Sequence, residues 1–316
     1  MDDNYIKKEC RLCKSDVLNT VLPLADSPLC DAYITEKKVQ KYYPLKLSQC
    51  GDCGFVQIDC VVDPEIIYRD YIYVTTSSSG LKNHFKSYAD DVFGYLKLPS
   101  KSLVVDVGSN EGTLLSFFQQ KNCNVLGIEP SIKTAKNATE KGIETLPEFY
   151  NLDLSKEIVE RYGNASLITI NNLFANIDDL HNFAQGLESL LADDGVLVIE
   201  SSYLLDMVNN MVFDFIYHEH LSYFSIIPLV SFFKKFGIKL VKVEHVGTKG
   251  GSLRYYWAKE SSSRPVDASV PQFTAEEEKA GMNTDFFKQY ENRIDRVKKE
   301  LLDILETHKG QKIFEI

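Results

Sequence analysis

The chain reads as an α/β protein: a doubly wound, mostly parallel sheet, with a small cysteine-bearing domain before it and a helical extension after it. Three observations predict this. Short β-branched runs alternate with helical patterns between Leu103 and Ala258, the signature of strand–helix–strand winding. A glycine turn, Gly108-Ser109-Asn110-Glu111-Gly112, links the first run to its helix. Two Cys-x-x-Cys knuckles stand well ahead of all of this. The divisions that follow are residues 1–70, 71–262 and 263–316.

The knuckles are Cys10-Arg11-Leu12-Cys13 and Cys50-Gly51-Asp52-Cys53-Gly54. Four thiolates in this ribbon-like spacing suit a structural Zn²⁺, and Gly51 and Gly54 allow the tight turns that aim backbone N–H groups at sulfur. A complete Cys₄ set leaves no open coordination position, so the metal is structural rather than catalytic. Cys30, Cys60 and Cys123 read as buried small hydrophobes.

From Tyr68 to Gly80 the chain is rich in aromatics and hydroxyls, including Tyr71 and Tyr73. It reads equally as the lining of a pocket and as a domain connection with ordinary tyrosine packing. Between Leu81 and Leu98, apolar residues at Phe85, Tyr88, Ala89, Val92, Phe93 and Leu96 give the spacing of an amphipathic helix that stops before Pro99.

Leu103-Val104-Val105-Asp106-Val107 then reads as a strand leading through the glycine turn into a helix at Leu114–Phe118. Glycines let a ligand approach the backbone, and a helix start offers unpaired N–H groups. The second strand ends at Glu129, about twenty residues on, where an acid commonly holds ribose hydroxyls. A third strand ends at Asn171-Asn172, a helix runs over Leu180–Leu191, and a fourth strand ends at Glu200. Open sheets bind ligands beyond their strands' carboxyl ends, so Asp106, Glu129, Asn172 and Glu200 are expected along one edge. After a helix near Pro228–Phe236, Lys239–Glu244 and Ser252–Ala258 read as an antiparallel finish to the sheet.

The densest chemistry lies in Tyr217-His218-Glu219-His220-Leu221-Ser222-Tyr223-Phe224. Consecutive residues face different ways, so at most two or three of the four ionisable groups share a pocket. Imidazole, carboxylate and phenol together move protons near neutral pH. A polar loop with two hydrogen-bonded histidines is the equal alternative on this stretch alone.

At the C-terminus Thr274 and Glu277 have capping-box spacing, and Phe287, Tyr290, Ile294, Val297, Leu301 and Leu305 form a helical stripe over Thr284–His308. Lys312–Ile316 reads as a strand in want of a pairing partner.

A net charge of -10 argues against nucleic acid as a partner. No apolar run approaches a membrane span, and the acidic start Met1-Asp2-Asp3-Asn4 is not a signal peptide, so a cytoplasmic location is expected.

Taken together, Asp106-Val-Gly-Ser-Asn-Glu-Gly-Thr-Leu-Leu, Gly127-Ile-Glu-Pro-Ser131, Tyr217-His-Glu-His-Leu-Ser-Tyr-Phe-Ser225 and Gly250-Gly-Ser-Leu-Arg254, preceded by two cysteine knuckles, resemble the sugar C-methyltransferase family. The resemblance spans Cys10 to Ala258. It implies a Rossmann-like methyltransferase sheet and methylation, from S-adenosylmethionine, of C3 of a nucleotide-linked 4-keto-deoxysugar. Asp106, Gly108, Asn110, Gly112, Glu129 and Asn172 would then serve the cofactor, and Cys10, Cys13, Cys50 and Cys53 would hold zinc. His220 would be the base, with Tyr217 and Glu219 supporting it and His218 structural. Tyr71, Tyr73, Lys249 and Arg254 are the candidate contacts to a nucleotide-sugar. Two positions depart from the family pattern, Asn176 and Lys249, where histidines are common. The family also continues into a second α/β lobe, which the segment 263–316 would only begin. An O-methyltransferase and a non-catalytic binding module are the competing readings.

Overall fold

A computed structural model describes residues 5–30, 36, 39–68 and 79–312. Tyr71, Tyr73 and the expected strand after Lys312 lie outside the described residues, apart from Lys312 itself.

The N-terminal part contributes β1 (Leu18–Pro23), β2 (Lys46–Cys50), β3 (Val56–Ile58) and the short α1 (Pro64–Tyr68). Next come α2 (Ser79–Leu96), β4 (Leu103–Val107), α3 (Thr113–Gln119), β5 (Asn124–Ile128), α4 (Ile132–Glu140), β6 (Thr145–Leu146), α5 (Leu152–Tyr162) and β7 (Ala165–Asn171). The winding continues with α6 (Leu180–Leu190), β8 (Leu191–Ser202), α7 (Leu204–Asn209), β9 (Ser222–Tyr223), α8 (Ile226–Lys234), β10 (Ile238–Val246) and β11 (Ser252–Lys259). Two helices, α9 (Ser269–Ala280) and α10 (Thr284–Thr307), follow.

The main sheet has seven strands in the order β10-β11-β8-β7-β4-β5-β6. Strands β4 to β8 pair in parallel, whereas β11 is antiparallel to both of its neighbours. β10 is therefore parallel to the rest. The expected antiparallel finish is one reversed strand inserted before a parallel edge.

Side chains alternate across this sheet with the period of two that a strand imposes. Val104, Leu167, Val196, Val198 and Tyr256 pack beneath α2 and α3. Val105, Ile168, Leu197, Ile199, Tyr255 and Trp257 pack on the other face under α5, α6 and α8. Both faces are covered, which is why the strands read as nearly continuous apolar runs.

A second sheet, β1-β2-β3-β9, belongs to the N-terminal domain but takes its last strand from residues beside His220. Val56 opposes Tyr223 and Gln57 opposes Ser222 in antiparallel register. The first turns of α10 cover this sheet with Phe287 and Tyr290, both fully buried. Farther along α10 the same stripe emerges at Val297, Leu301 and Leu305.

The expected capping box is corrected. Thr274 lies inside α9 and its hydroxyl donates to the Val270 carbonyl. Glu277 instead accepts from the backbone N–H groups of Ile226 (2.6 Å) and Ile227 (3.0 Å), capping α8 from another helix. Asn283 supplies the local cap of α10, accepting from the Asp285 and Phe286 N–H groups. Cys30 is exposed rather than buried, while Cys60 and Cys123 are buried as expected. Among the described residues no helix is long and apolar enough to cross a membrane.

Candidate active site and metal centre

The turn after β4 is built from conformations that side chains resist. Gly108 has φ +81°, and a Cβ there would stand 2.9 Å from Leu173 Cδ2. Its N–H and that of Ser109 donate to the Ile128 carbonyl, which folds the turn back onto the end of β5. Glu129 follows directly and accepts from the N–H groups of Asn110 (3.1 Å) and Ser131 (2.9 Å). Its carboxylate is thus aimed by two backbone donors while keeping lone pairs for a ligand. Burial raises its pKa and those two bonds oppose the rise.

These groups line a cavity of about 460 Å³, within the range of small-molecule sites. Asp106, Gly108, Asn110, Glu129 and Asn172 all form its wall, together with Asn176, Asp178, Phe183 and Lys249. Gly112 does not. At φ +72° it starts α3, with Ile143 2.8 Å from where its Cβ would stand, so its role is turn geometry and packing. Asp106 accepts from Thr169 Oγ1 at 2.6 Å and Asn171 Nδ2 at 3.5 Å, and burial pushes its pKa up to about 7. Asn171 Oδ1 and Asn176 Oδ1 are buried acceptors with no donor among the described residues. Unmet acceptors are costly, and together with Glu129 they fit a ligand that presents N–H and O–H donors, as the amine, amino group and ribose of S-adenosylmethionine do. Asn176 was identifiable from sequence only as a departure from a family pattern.

The Tyr217–His220 stretch divides as its alternation requires. His220 is buried; its Nδ1 donates to the Phe215 carbonyl at 3.0 Å, leaving Nε2 to accept from the Tyr217 hydroxyl at 3.1 Å. Desolvation and then the charge of Lys249 lower its pKa to about 4, against a weaker opposing effect of the Phe215 carbonyl. The imidazole is therefore neutral at physiological pH. His218 faces the N-terminal domain, with Nε2 3.2 Å from the Pro44 carbonyl and its ring against Tyr43. Glu219 is buried and within electrostatic range of Lys249.

His220 lines a small chamber of about 20 Å³ with Tyr203, Phe215, Ser222 and Tyr223. Asn172 lines both this chamber and the large cavity, so it marks their boundary. Asn172 is held in a left-handed conformation, φ +55°, with its N–H on the Glu200 carbonyl. Lys249 is likewise left-handed at φ +54° and reaches the cavity from a glycine-flanked turn. Asparagine adopts this region readily, but a lysine keeps it only where the surroundings enforce it.

Arg254 is placed differently from a ligand contact. It is buried, with Nε 2.9 Å from Glu200 Oε2, Nη1 3.3 Å from Glu244 Oε2 and the guanidinium 4.1 Å over the Tyr88 ring. It does not line the cavity. Glu200 is committed in turn, because His84 Nε2 lies 2.6 Å from its other oxygen. His84, a helix residue with no motif around it, gave no signal in the sequence.

The cysteines converge as their spacing predicts. All four sulfurs lie within 4.8 Å of one another, with Cys10–Cys53 at 3.6 Å and Cys13–Cys50 at 3.5 Å. Zinc–sulfur bonds of about 2.3 Å in a tetrahedron need sulfurs roughly 3.8 Å apart. The two knuckles share one turn: Lys14 N–H returns to the Cys10 carbonyl and Gly54 N–H to that of Cys50, each at 3.0 Å. Gly54 (φ +75°) has its left-handed counterpart in Lys14 (φ +69°).

Three family models match consecutive stretches of the chain. A zinc-binding-domain model matches residues 10–68, a methyltransferase-domain model residues 82–243, and a C-methyltransferase C-terminal-domain model residues 247–314. The C-methyltransferase NovU of Streptomyces niveus is 29% identical over 301 residues, covering 94% of this chain and 72% of that protein. Among solved structures, magnesium protoporphyrin IX methyltransferase of Synechocystis PCC 6803 with bound SAH aligns with a TM-score of 0.44 at 15% identity, over 57% of this chain and 84% of that one. An S-adenosylmethionine-dependent methyltransferase from Clostridium acetobutylicum ATCC 824 aligns with a TM-score of 0.45 at 14% identity, over 56% of this chain and 92% of that one. With more than half of its length inside the methyltransferase-domain match, and zinc-binding and C-methyltransferase C-terminal domains on either side, the chain belongs to the methyltransferase-domain family.

Proposed function

We propose that the chain methylates carbon, at C3 of a nucleotide-linked 4-keto-deoxysugar, after base-catalysed formation of an enolate. The observation that carries this reading is His220: a neutral, buried imidazole whose Nδ1 is tied to the Phe215 carbonyl and whose Nε2 lone pair faces Tyr217. Carbon needs a base in a way that most hydroxyls do not, because the C–H beside a ketone must be ionised before it can attack.

In this scheme Nε2 takes the proton from the carbon next to the ketone, and the C–H electron pair passes into the enolate. The Tyr217 hydroxyl, released from Nε2 as the substrate arrives, donates to the developing oxyanion. Lys249, the cation at the cavity wall, adds charge of the right sign. S-adenosylmethionine, when bound, supplies an electrophilic sulfonium methyl. Glu129 would hold its ribose hydroxyls, and Asn171 and Asn176 its N–H donors. The chain's further contribution is alignment across the Asn172 boundary, since holding two reactants in line replaces an encounter in solution. The kinship with NovU supports carbon as the acceptor.

The test is deuterium uptake. Protein without methyl donor is incubated in D₂O with nucleotide-linked 4-keto-sugars, and the sugars are analysed by mass spectrometry. Exchange at the carbon beside the ketone is expected. Methyl transfer to a hydroxyl without such exchange would overturn the proposal in favour of O-methylation.

A further inference from the structure

An arginine inside a Cys-x-x-Cys loop ordinarily points to water, yet Arg11 is fully buried. Burying a guanidinium is costly unless its donors are met; two of the three nitrogens are paired here, while Nη2 is buried without a partner among the described residues. Its Nε donates to Asp178 Oδ1 at 2.9 Å, while Nη1 donates to the Ile58 carbonyl at 2.7 Å and more weakly to the Leu221 carbonyl at 3.4 Å. Its own backbone N–H donates to Gln57 Oε1 at 3.0 Å. The planar fork reaches three separate segments at once, which a lysine's single nitrogen does not do from one position.

Those segments are the ones that matter for chemistry. Asp178 lines the large cavity beside Asn176 and Ile177. Leu221 directly follows His220, and its carbonyl also receives the Ile58 N–H at 3.1 Å. The next knuckle residue repeats the pattern: the Leu12 carbonyl accepts from His181 Nε2 at 3.1 Å and Lys235 Nζ at 3.2 Å. Lys7 adds a second cation to Asp178 at 2.8 Å. Arg11 sits between two metal-ligating cysteines, so gathering their sulfurs around Zn²⁺ fixes its Cα and aims its side chain, as groups around a metal site commonly fix one another.

We propose that Arg11 is a positioning residue: it carries the order of the zinc knuckle into the methyl-transfer site, holding the cavity loop through Asp178 and the backbone beside His220 through Leu221. The second half rests on the assignment of His220 made above. The structural zinc then has a reach beyond its own domain.

The test uses the zinc-loaded full chain and reads hydrogen–deuterium exchange by segment, together with calorimetric affinity for S-adenosylhomocysteine. Neither readout needs the sugar, so a wrong substrate assignment leaves it intact. In Arg11→Met, zinc content should be unchanged while exchange rises selectively at 173–179 and 216–223 and affinity falls about tenfold. Arg11→Lys should recover affinity through Asp178 but leave 216–223 unprotected, and Asp178→Asn should loosen 173–179 alone. Chelation of zinc from the wild-type chain should loosen both segments. Unchanged exchange in Arg11→Met, or a rise spread evenly along the chain, overturns the proposal. Should that variant fail to fold, Arg11→Lys and Asp178→Asn decide it: unchanged exchange at their segments overturns it equally.

Discussion

The Asp106–Glu129 corner of the large cavity and the neighbouring small chamber at His220 are assembled by opposite means. That corner is local: β4, the Gly108 turn and the end of β5 bring Asp106 and Glu129 together within a stretch of some two dozen residues, while the rest of the wall comes from residues as distant as Val61 and Lys249. The chamber is tertiary. His220 is set by the Phe215 carbonyl on one side, and the residues that follow it are stitched by β9 into a sheet whose other strands lie before residue 60. Local construction gives a binding site whose parts fail one at a time. Tertiary construction makes the position of His220 depend on distant packing.

The sharpest way to break the comparison is His220→Gln. The amide keeps much of the imidazole's volume and can still hydrogen-bond, but it accepts no proton at any ordinary pH. Methyl transfer should fall by about 10³-fold, within the range of lost general-base catalysis. Affinity for S-adenosylhomocysteine, measured by calorimetry, should stay within about twofold, since the cavity wall does not include His220. Turnover at the wild-type rate would remove His220 from the role of base.

Glu129→Gln probes the local wall and should give a smaller effect of opposite kind. The two backbone donors at 3.1 and 2.9 Å lose their charged acceptor, and a ribose would lose one too. Hydrogen bonds to charged groups contribute about 1.5–3 kcal/mol, so cofactor affinity should fall roughly ten- to a hundredfold. The turnover rate at saturating cofactor should change little. Unaltered affinity would move the cofactor away from Glu129.

The same contrast explains what the sequence disclosed. The strand–turn–helix at 103–119, Glu129 at the end of β5 and the cysteine knuckles are local patterns with local physical causes, and they stand where their spacing put them. Glu277 shows the limit: Thr274-x-x-Glu277 has the form of a capping box, but the carboxylate caps α8 across a packing interface. The two-residue β9, the buried Arg11 and the His84–Glu200–Arg254 chain are equally invisible, because each depends on partners more than fifty residues away. Arg254, a candidate ligand contact by sequence, is occupied by Glu200, Glu244 and Tyr88. An exposed arginine and a buried, ion-paired one look alike in one dimension.

The finest effect concerns the charge that couples the two chambers. His220 has its pKa lowered from 6.5 to about 4, first by desolvation and second by Lys249, which reaches the large cavity. A histidine that folds neutral binds fewer protons than its unfolded counterpart between these two values. Its contribution to stability is present above pH 6.5 and is lost as pH falls toward 4, amounting to about 3 kcal/mol for such a shift. Asp106 runs the other way: its pKa, raised from 3.8 to about 7, removes stability as pH rises through that window. The two slopes partly cancel in the wild-type chain, so only a difference between chains isolates His220. Lys249→Asn is the suitable change, because asparagine tolerates the φ of +54° and carries no charge. The His220 resonance should titrate at higher pH in this variant by NMR, and denaturant midpoints should fall less steeply between pH 6.5 and 4 than in wild type. An unmoved titration would show that burial alone holds His220 neutral and that the two chambers are electrostatically independent.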